Sequence, residues 1–177
     1  MSEKNAKPPL YYADYLQLDR LLSAQAPESA KQGTPAHDEM LFIVVHQAYE
    51  LWFKQILHEM ARIDAIFAAE SLDDRDIGRV VAALERIERI VKLLIGQLDI
   101  LETMTPLDFL EFRDLLFPSS GFQSLQFRLI EIGLGLRRAD RVGFEARPFD
   151  ARLSETDRAA LQAAEKRPSL CDRIEAW

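Results

Sequence analysis

A chain of 177 residues with 48% hydrophobic and 29% charged residues has material for one domain with a true core. A formal net charge of −7 excludes a broad nucleic-acid-binding face, because nothing along it would release counterions from a phosphate backbone. No apolar run reaches the roughly 20 residues of a membrane span, MSEKNAKPPL lacks an apolar signal core, and the single Cys171 excludes an internal disulfide and fits a reducing, cytoplasmic setting.

Residues 1–10, polar with a Pro-Pro pair, are expected to form a disordered lead-in to a helical domain over 11–177. YYADYLQLDRLLSAQ (11–25) carries Tyr12, Tyr15, Leu18 and Leu22 at helical spacing and predicts a short amphipathic helix. APESAKQGTPA (26–36) reads as a loop. From about Asp38 a long helix follows, with apolar residues on so broad a stripe that it must be buried on more than one side. Ser71 is the expected cap of the next helix, about 74–102, with acidic residues favourably placed in its first turn.

Thr105 caps a further helix whose first position is Pro106, running to about Leu116 until FPSSGFQS breaks it. Another helix is expected over about 123–138. Ser154, with Asp157 three residues later, starts one more. PSLCDRIEAW reads as a helix begun at Ser169 and then cut. No convincing alternation marks a strand and no repeat recurs, so the predicted fold is all-α.

The three histidines do not form a metal set. His37 to His46 is about half a turn around a helix and His46 to His58 about a third, so they cannot converge on one ion. His58-Glu59 is not followed by the spacing of a zinc helix, and no Glu-x-x-His pair of a di-iron bundle occurs. His46 leaves two readings open. It is either a core histidine satisfied by a hydrogen bond, or an imidazole facing a cavity beside Phe42, which stands one turn earlier and about 40° away around the axis.

Phe109 and Arg113 repeat that aromatic-polar pairing at i,i+4. An arginine fork suits a carboxylate, although most arginines in an acidic chain make surface ion pairs. Ser119, Ser120 and Gly121 form a turn with free backbone N–H groups, suited either to close approach of a ligand or merely to joining helices. Cys171 has no neighbouring base to activate it, and GLGLRR (133–138) is no nucleotide fingerprint.

Three stretches, YADYLQLDRLLSAQ (12–25), HDEMLFIVVHQAYELWFKQILHE (37–59) and LETMTPLDFLEFRDLLFPSSGFQSLQFR (101–128), together resemble the tryptophan 2,3-dioxygenase family. The resemblance implies an all-α bundle of the indole-dioxygenase type, incomplete at its C-terminus. It implies haem b as cofactor and L-tryptophan and O2 as substrates, with cleavage of the indole C2–C3 bond to N-formylkynurenine.

On the same resemblance, His46 is the distal-pocket histidine and the one catalytic residue. Phe42, Ile43, Val44, Val45, Phe109 and Arg113 line the substrate pocket, with Arg113 gripping the carboxylate. Ser120 and Gly121 lie against the cofactor. Tyr12, Tyr15 and Leu16 close the site of a neighbouring subunit, which implies a homotetramer built as a dimer of dimers.

The family's proximal haem-ligand histidine, and the threonine after it, have no counterpart in these residues. The chain is therefore expected to correspond to the N-terminal portion of such an enzyme, with little activity and weak haem binding by itself. Two rival readings carry different expectations. A non-catalytic helical interaction or oligomerisation module would use the fold alone, and an enzyme acting on an indole without a carboxylate would have no use for Arg113.

Overall fold

The computed structural model describes residues 9–69, 71–141 and 149–177. Most of the expected lead-in, residues 1–8, lies outside that range. Among the described residues all regular structure is helical, as the sequence predicts.

Two long helices, α4 (Glu39–Phe67) and α5 (Asp74–Leu101), form the backbone of the fold. Each is about 40 Å long at 1.5 Å per residue. They run antiparallel: the Tyr49 hydroxyl donates to the Leu94 carbonyl at 2.6 Å, while Arg86 reaches Glu59 at 2.7 Å further along. Val80, Ala83, Ile87, Ile90 and Leu94 recur at three- and four-residue steps on α5 and meet Ile56 and Ile63 of α4 in the main core. α5 is capped by Asp73, whose carboxylate accepts from the Asp76 amide at 2.9 Å, rather than by Ser71. The helix starts two residues later than that serine would allow, and an aspartate there opposes the dipole as well as filling the cap.

α6 (Pro106–Arg113) opens on a complete capping box between Thr105 and Asp108, with proline at its first position. It tightens into a 3-10 turn over Asp114–Leu116 rather than running on as α-helix. A second 3-10 turn, Gly121–Gln123, is boxed by Ser120 and Gln123. α7 (Leu125–Leu134) runs parallel to α4, since Gln126 bonds Glu50 while Gly133 approaches Met60. It is shorter than the expected 123–138 at both ends. Ser124 caps it, and Gly135, at φ 111, turns the chain left-handed where a residue with a Cβ would be strained.

α8 (Glu155–Glu165), capped by Ser154, closes a second small core of Ile132, Leu153 and Leu161. α9 (Leu170–Ala176) is capped by Ser169, where the sequence places its start, and is tied to α4 by the Arg173–Asp64 ion pair.

The expected N-terminal helix is two pieces, α1 (Tyr12–Leu16) and α2 (Leu18–Leu22), because Gln17 adopts a left-handed conformation at φ 52. Their aromatic residues do not join either core. Tyr12 is 74% exposed and Tyr15 69%. Within the loop expected over 26–36 sits one helical turn, α3 (Glu28–Lys31), packed against the 3-10 turn at Asp114–Leu116. Among the described residues, no helix is long and apolar enough to cross a membrane.

Candidate functional site

A cleft of about 580 Å³ opens between the N-terminal half of α4, α6 and the Ser119–Ser124 turn. That volume suits an amino-acid-sized ligand. One face of α4 forms its floor, because residues 39, 42, 43, 46, 47 and 50 recur at helical spacing and all line it.

Phe42 is the hub of the aromatic wall. Its ring centroid lies 4.0 Å from that of His46, 5.7 Å from Phe109 and 5.6 Å from Phe112. Phe112, fully buried, meets Phe109 edge-on at 89° and fixes the direction in which α6 presents its residues. Arg113 follows from α6, its guanidinium carbon 5.9 Å from the Phe109 ring centroid.

The His46 Nδ1 lies 2.7 Å from the Phe42 carbonyl oxygen. A carbonyl can only accept, so Nδ1 carries a proton, and in the neutral form of the ring the lone pair therefore lies on Nε2. The bond is the one the first reading of His46 expects, but the residue is only half-buried, joins neither core and lines the cleft, which is where the second reading places it.

Three carboxylates reach the cleft and each is already engaged. Glu28 pairs with Lys31. Glu50 accepts from the Gln126 amide at 2.7 Å. Glu39, only 1% exposed, accepts from the Glu28 and Ser29 amides at 2.7 and 2.9 Å and from the Ser29 hydroxyl. Burial pushes the Glu39 carboxyl up, but the Ser29 hydroxyl, the two amides and the Lys31 charge outweigh it and hold it below the ordinary 4.5. Arg113 makes no ion pair among the described residues, and its half-buried guanidinium lies over the Phe109 ring.

The Ser119–Ser124 turn forms the far rim. The Ser120 amide donates to the Gln123 side chain at 3.0 Å, and the Ser120 hydroxyl accepts from Phe122 at 3.4 Å. A Cβ on Gly121 would meet nothing within 4 Å, so packing inside this chain does not require glycine there.

Phe42, Ile43, His46, Phe109, Arg113, Ser120 and Gly121 are thus brought to one cleft. Val45 is buried and Val44 is 46% exposed, and neither lines it. Tyr12, Tyr15 and Leu16 also stay outside the cleft of their own chain. His37 and His58 are exposed and lie elsewhere. Among the described residues no cluster of three or more His, Cys, Asp or Glu side chains could hold a metal ion. Sequence reasoning missed Glu39 and Gln47 as cleft residues. Their signal was the three- and four-residue steps along one helix face, from Glu39 to Phe42 and from Ile43 to Gln47.

The profile of the family described as tryptophan 2,3-dioxygenase matches residues 2–177. The chain is 54% identical to the tryptophan 2,3-dioxygenase of Bdellovibrio bacteriovorus over 170 residues, covering 96% of this chain and 47% of that protein. It is 51% identical to that of Alteromonas mediterranea over 175 residues, covering 99% of this chain and 48% of the relative. With the enzyme of Xenopus laevis the identity is 48% over 98% of this chain and 43% of the relative. The chain spans about half the length of the curated relatives it matches.

Proposed function

This chain belongs to the tryptophan 2,3-dioxygenase family, and from that premise we propose that it carries the substrate-gripping wall of a haem-dependent dioxygenase. The parent reaction cleaves the indole C2–C3 bond of L-tryptophan with O2 to give N-formylkynurenine, the first step of tryptophan catabolism by the kynurenine pathway. The single observation that carries this reading is Arg113. It is a guanidinium with no ion pair among the described residues, backed by Phe109, in a cleft whose own carboxylates are all engaged elsewhere. Such a group awaits an anion, and its planar fork fits a carboxylate.

His46 supplies the second anchor. Its Nε2 lone pair accepts the indole N–H, and the bond from Nδ1 to the Phe42 carbonyl keeps the ring in the tautomer that can do so. Phe42 and Phe109 provide apolar, ring-shaped walls that exclude water. Ser120 and Gly121 line the rim where a cofactor edge would pass; the Ser119 and Ser120 amides are already bonded to the Leu116 carbonyl and the Gln123 side chain, so it is the open space at Gly121 that leaves room for a close approach.

Haem itself would supply activation of dioxygen, and its iron needs an axial ligand. The residues of this chain do not fit that demand. His46 is the only histidine in the cleft, and one Nε2 cannot both ligate iron and accept the indole N–H. This chain therefore binds and orients substrate, and its own histidines do not hold the metal.

The N-terminal arm, α1 and α2, supports a shared assembly. It exposes Tyr12, Tyr15 and Leu16 away from its own cleft, which is the arrangement expected of an arm that closes a neighbouring subunit's site in a homotetramer. The free thiol of Cys171 supports a cytoplasmic setting. A purely structural helical module would also use the arm, but it would leave the cleft-lining Arg113 without a purpose.

The test is protection from modification. L-tryptophan should shield Arg113 from a guanidinium-directed reagent such as phenylglyoxal, followed at that residue by mass spectrometry, and tryptamine should not. Equal shielding by both would remove the carboxylate-binding role.

A further inference from the structure

The segment that joins the arm to the body is fastened to α4 at two places, one on each side of Phe42 and His46. At the first, the Glu39 carboxylate takes the amides of Glu28 and Ser29 and the Ser29 hydroxyl, and that hydroxyl oxygen in turn accepts from the Ala36 amide at 2.9 Å. Both side chains are buried, Ser29 at 0% and Glu39 at 1% exposure. One carboxylate therefore closes the whole 28–36 loop on itself and onto the start of α4.

At the second place the Gln47 side chain works in both directions. Its oxygen accepts from the Gln25 side-chain amide at 2.6 Å, and its own amide donates to the Ala24 carbonyl at 3.0 Å. Gln25 also bonds the Leu21 carbonyl at 2.9 Å, which carries the tie back to α2. Glu39 and Gln47 are eight residues apart on the helix face that bears Phe42 and His46. Ala26 and Glu28, held between the two ties, are cleft-lining residues.

We infer that Glu39 and Gln47 are positioning residues for ligand binding: through segment 24–36 they hold the third wall of the cleft and set where the arm leaves it. The inference rests on the reading that the cleft binds tryptophan. Neither residue need touch the ligand's carboxylate, which Arg113 takes from the end of α6. Their loss should open the wall and weaken every ligand of the cleft alike. A residue acting through Arg113 would instead weaken only ligands that carry a carboxylate.

The experiment combines hydrogen exchange with ligand affinity, on the 177-residue chain and on Glu39→Gln and Gln47→Ala. Exchange of the Glu28 and Ser29 amides should quicken about tenfold or more in Glu39→Gln, because they lose a charged acceptor. The rise should stay within 24–36 and spare α4 and α5. L-tryptophan and tryptamine should weaken in equal proportion, by about threefold to tenfold, in both variants.

If Glu39→Gln loosens the α4–α5 core as well, Gln47→Ala, which removes only the second tie, carries the decision on the same readouts. Faster exchange over 24–36 with unchanged affinity overturns the inference, and so does a change in the tryptophan-to-tryptamine ratio. Failure of the unsubstituted chain to bind either ligand would sink the functional reading and this inference together, and it would show before any substitution is made.

Discussion

The His46 Nδ1 and the Phe42 carbonyl oxygen, one helical turn apart, lie 2.7 Å from each other, and this bond leaves Nε2 as the acceptor. The chain should therefore prefer L-tryptophan over its benzothienyl analogue, in which sulfur replaces the ring N–H without changing the shape much. A neutral hydrogen bond contributes about 0.5–1.5 kcal/mol, or roughly twofold to tenfold in affinity. In His46→Ala the two ligands should bind equally well. A preference that survives the substitution would take recognition of the N–H away from His46.

The same histidine shows how far sequence carried the site. Phe42 with His46, and Phe109 with Arg113, were legible because the i,i+4 step on a helix puts two side chains on one face whatever the tertiary fold. That the two pairs meet was not legible from spacing. It depends on how Phe112 packs α6 against Phe42, a contact between elements 70 residues apart in the chain. Helix boundaries moved where a local residue outweighed periodicity. Gln17 and Gly135 turned left-handed, and Asp73 took the cap expected of Ser71. Glu39 escaped notice because an acidic residue in the first turn of a helix is ordinarily a solvated dipole partner, and only the fold of 26–36 buries it.

Glu39 makes the fold sensitive to acid. Its carboxyl is held below 4.5 in the folded chain, so the unfolded chain takes up its proton first as pH falls. Its contribution is fully present above the ordinary carboxylate value and is lost as pH drops through the lowered folded value. The melting temperature of the unsubstituted chain should exceed that of Glu39→Gln by a constant margin above about pH 5. The margin should shrink as pH falls below 4.5. A margin independent of pH would mean that the carboxylate charge does not hold the loop.

Phe112 is fully buried between Phe42 and Phe109, so its removal leaves a cavity under the aromatic wall. Phe112→Ala should cost about 3–5 kcal/mol in urea-unfolding experiments. Leu107, 76% exposed on the same helix, is the control. Leu107→Ala should change stability by no more than about 0.5 kcal/mol. Similar losses for both would show that α6 is held by something other than Phe112.

Tyr12 and Tyr15 stand out from the body on a short helix that joins neither core. Replacing both with serine should lower the assembly state seen by sedimentation velocity and leave the far-ultraviolet helical signal nearly unchanged. An unchanged sedimentation coefficient, where the parent chain is assembled, would separate the arm from the contact between subunits.

The most direct measurement is a four-way affinity comparison: L-tryptophan and tryptamine, each titrated calorimetrically into the chain and into Arg113→Ala. With Arg113 present, tryptophan should bind more tightly by on the order of 30-fold, the equivalent of about 2 kcal/mol for a charge-paired anchor. Without it the gap should close, with tryptamine nearly unaffected. A gap that persists in Arg113→Ala would contradict the assignment of Arg113 to the carboxylate, and with it the reading of this cleft as a tryptophan site.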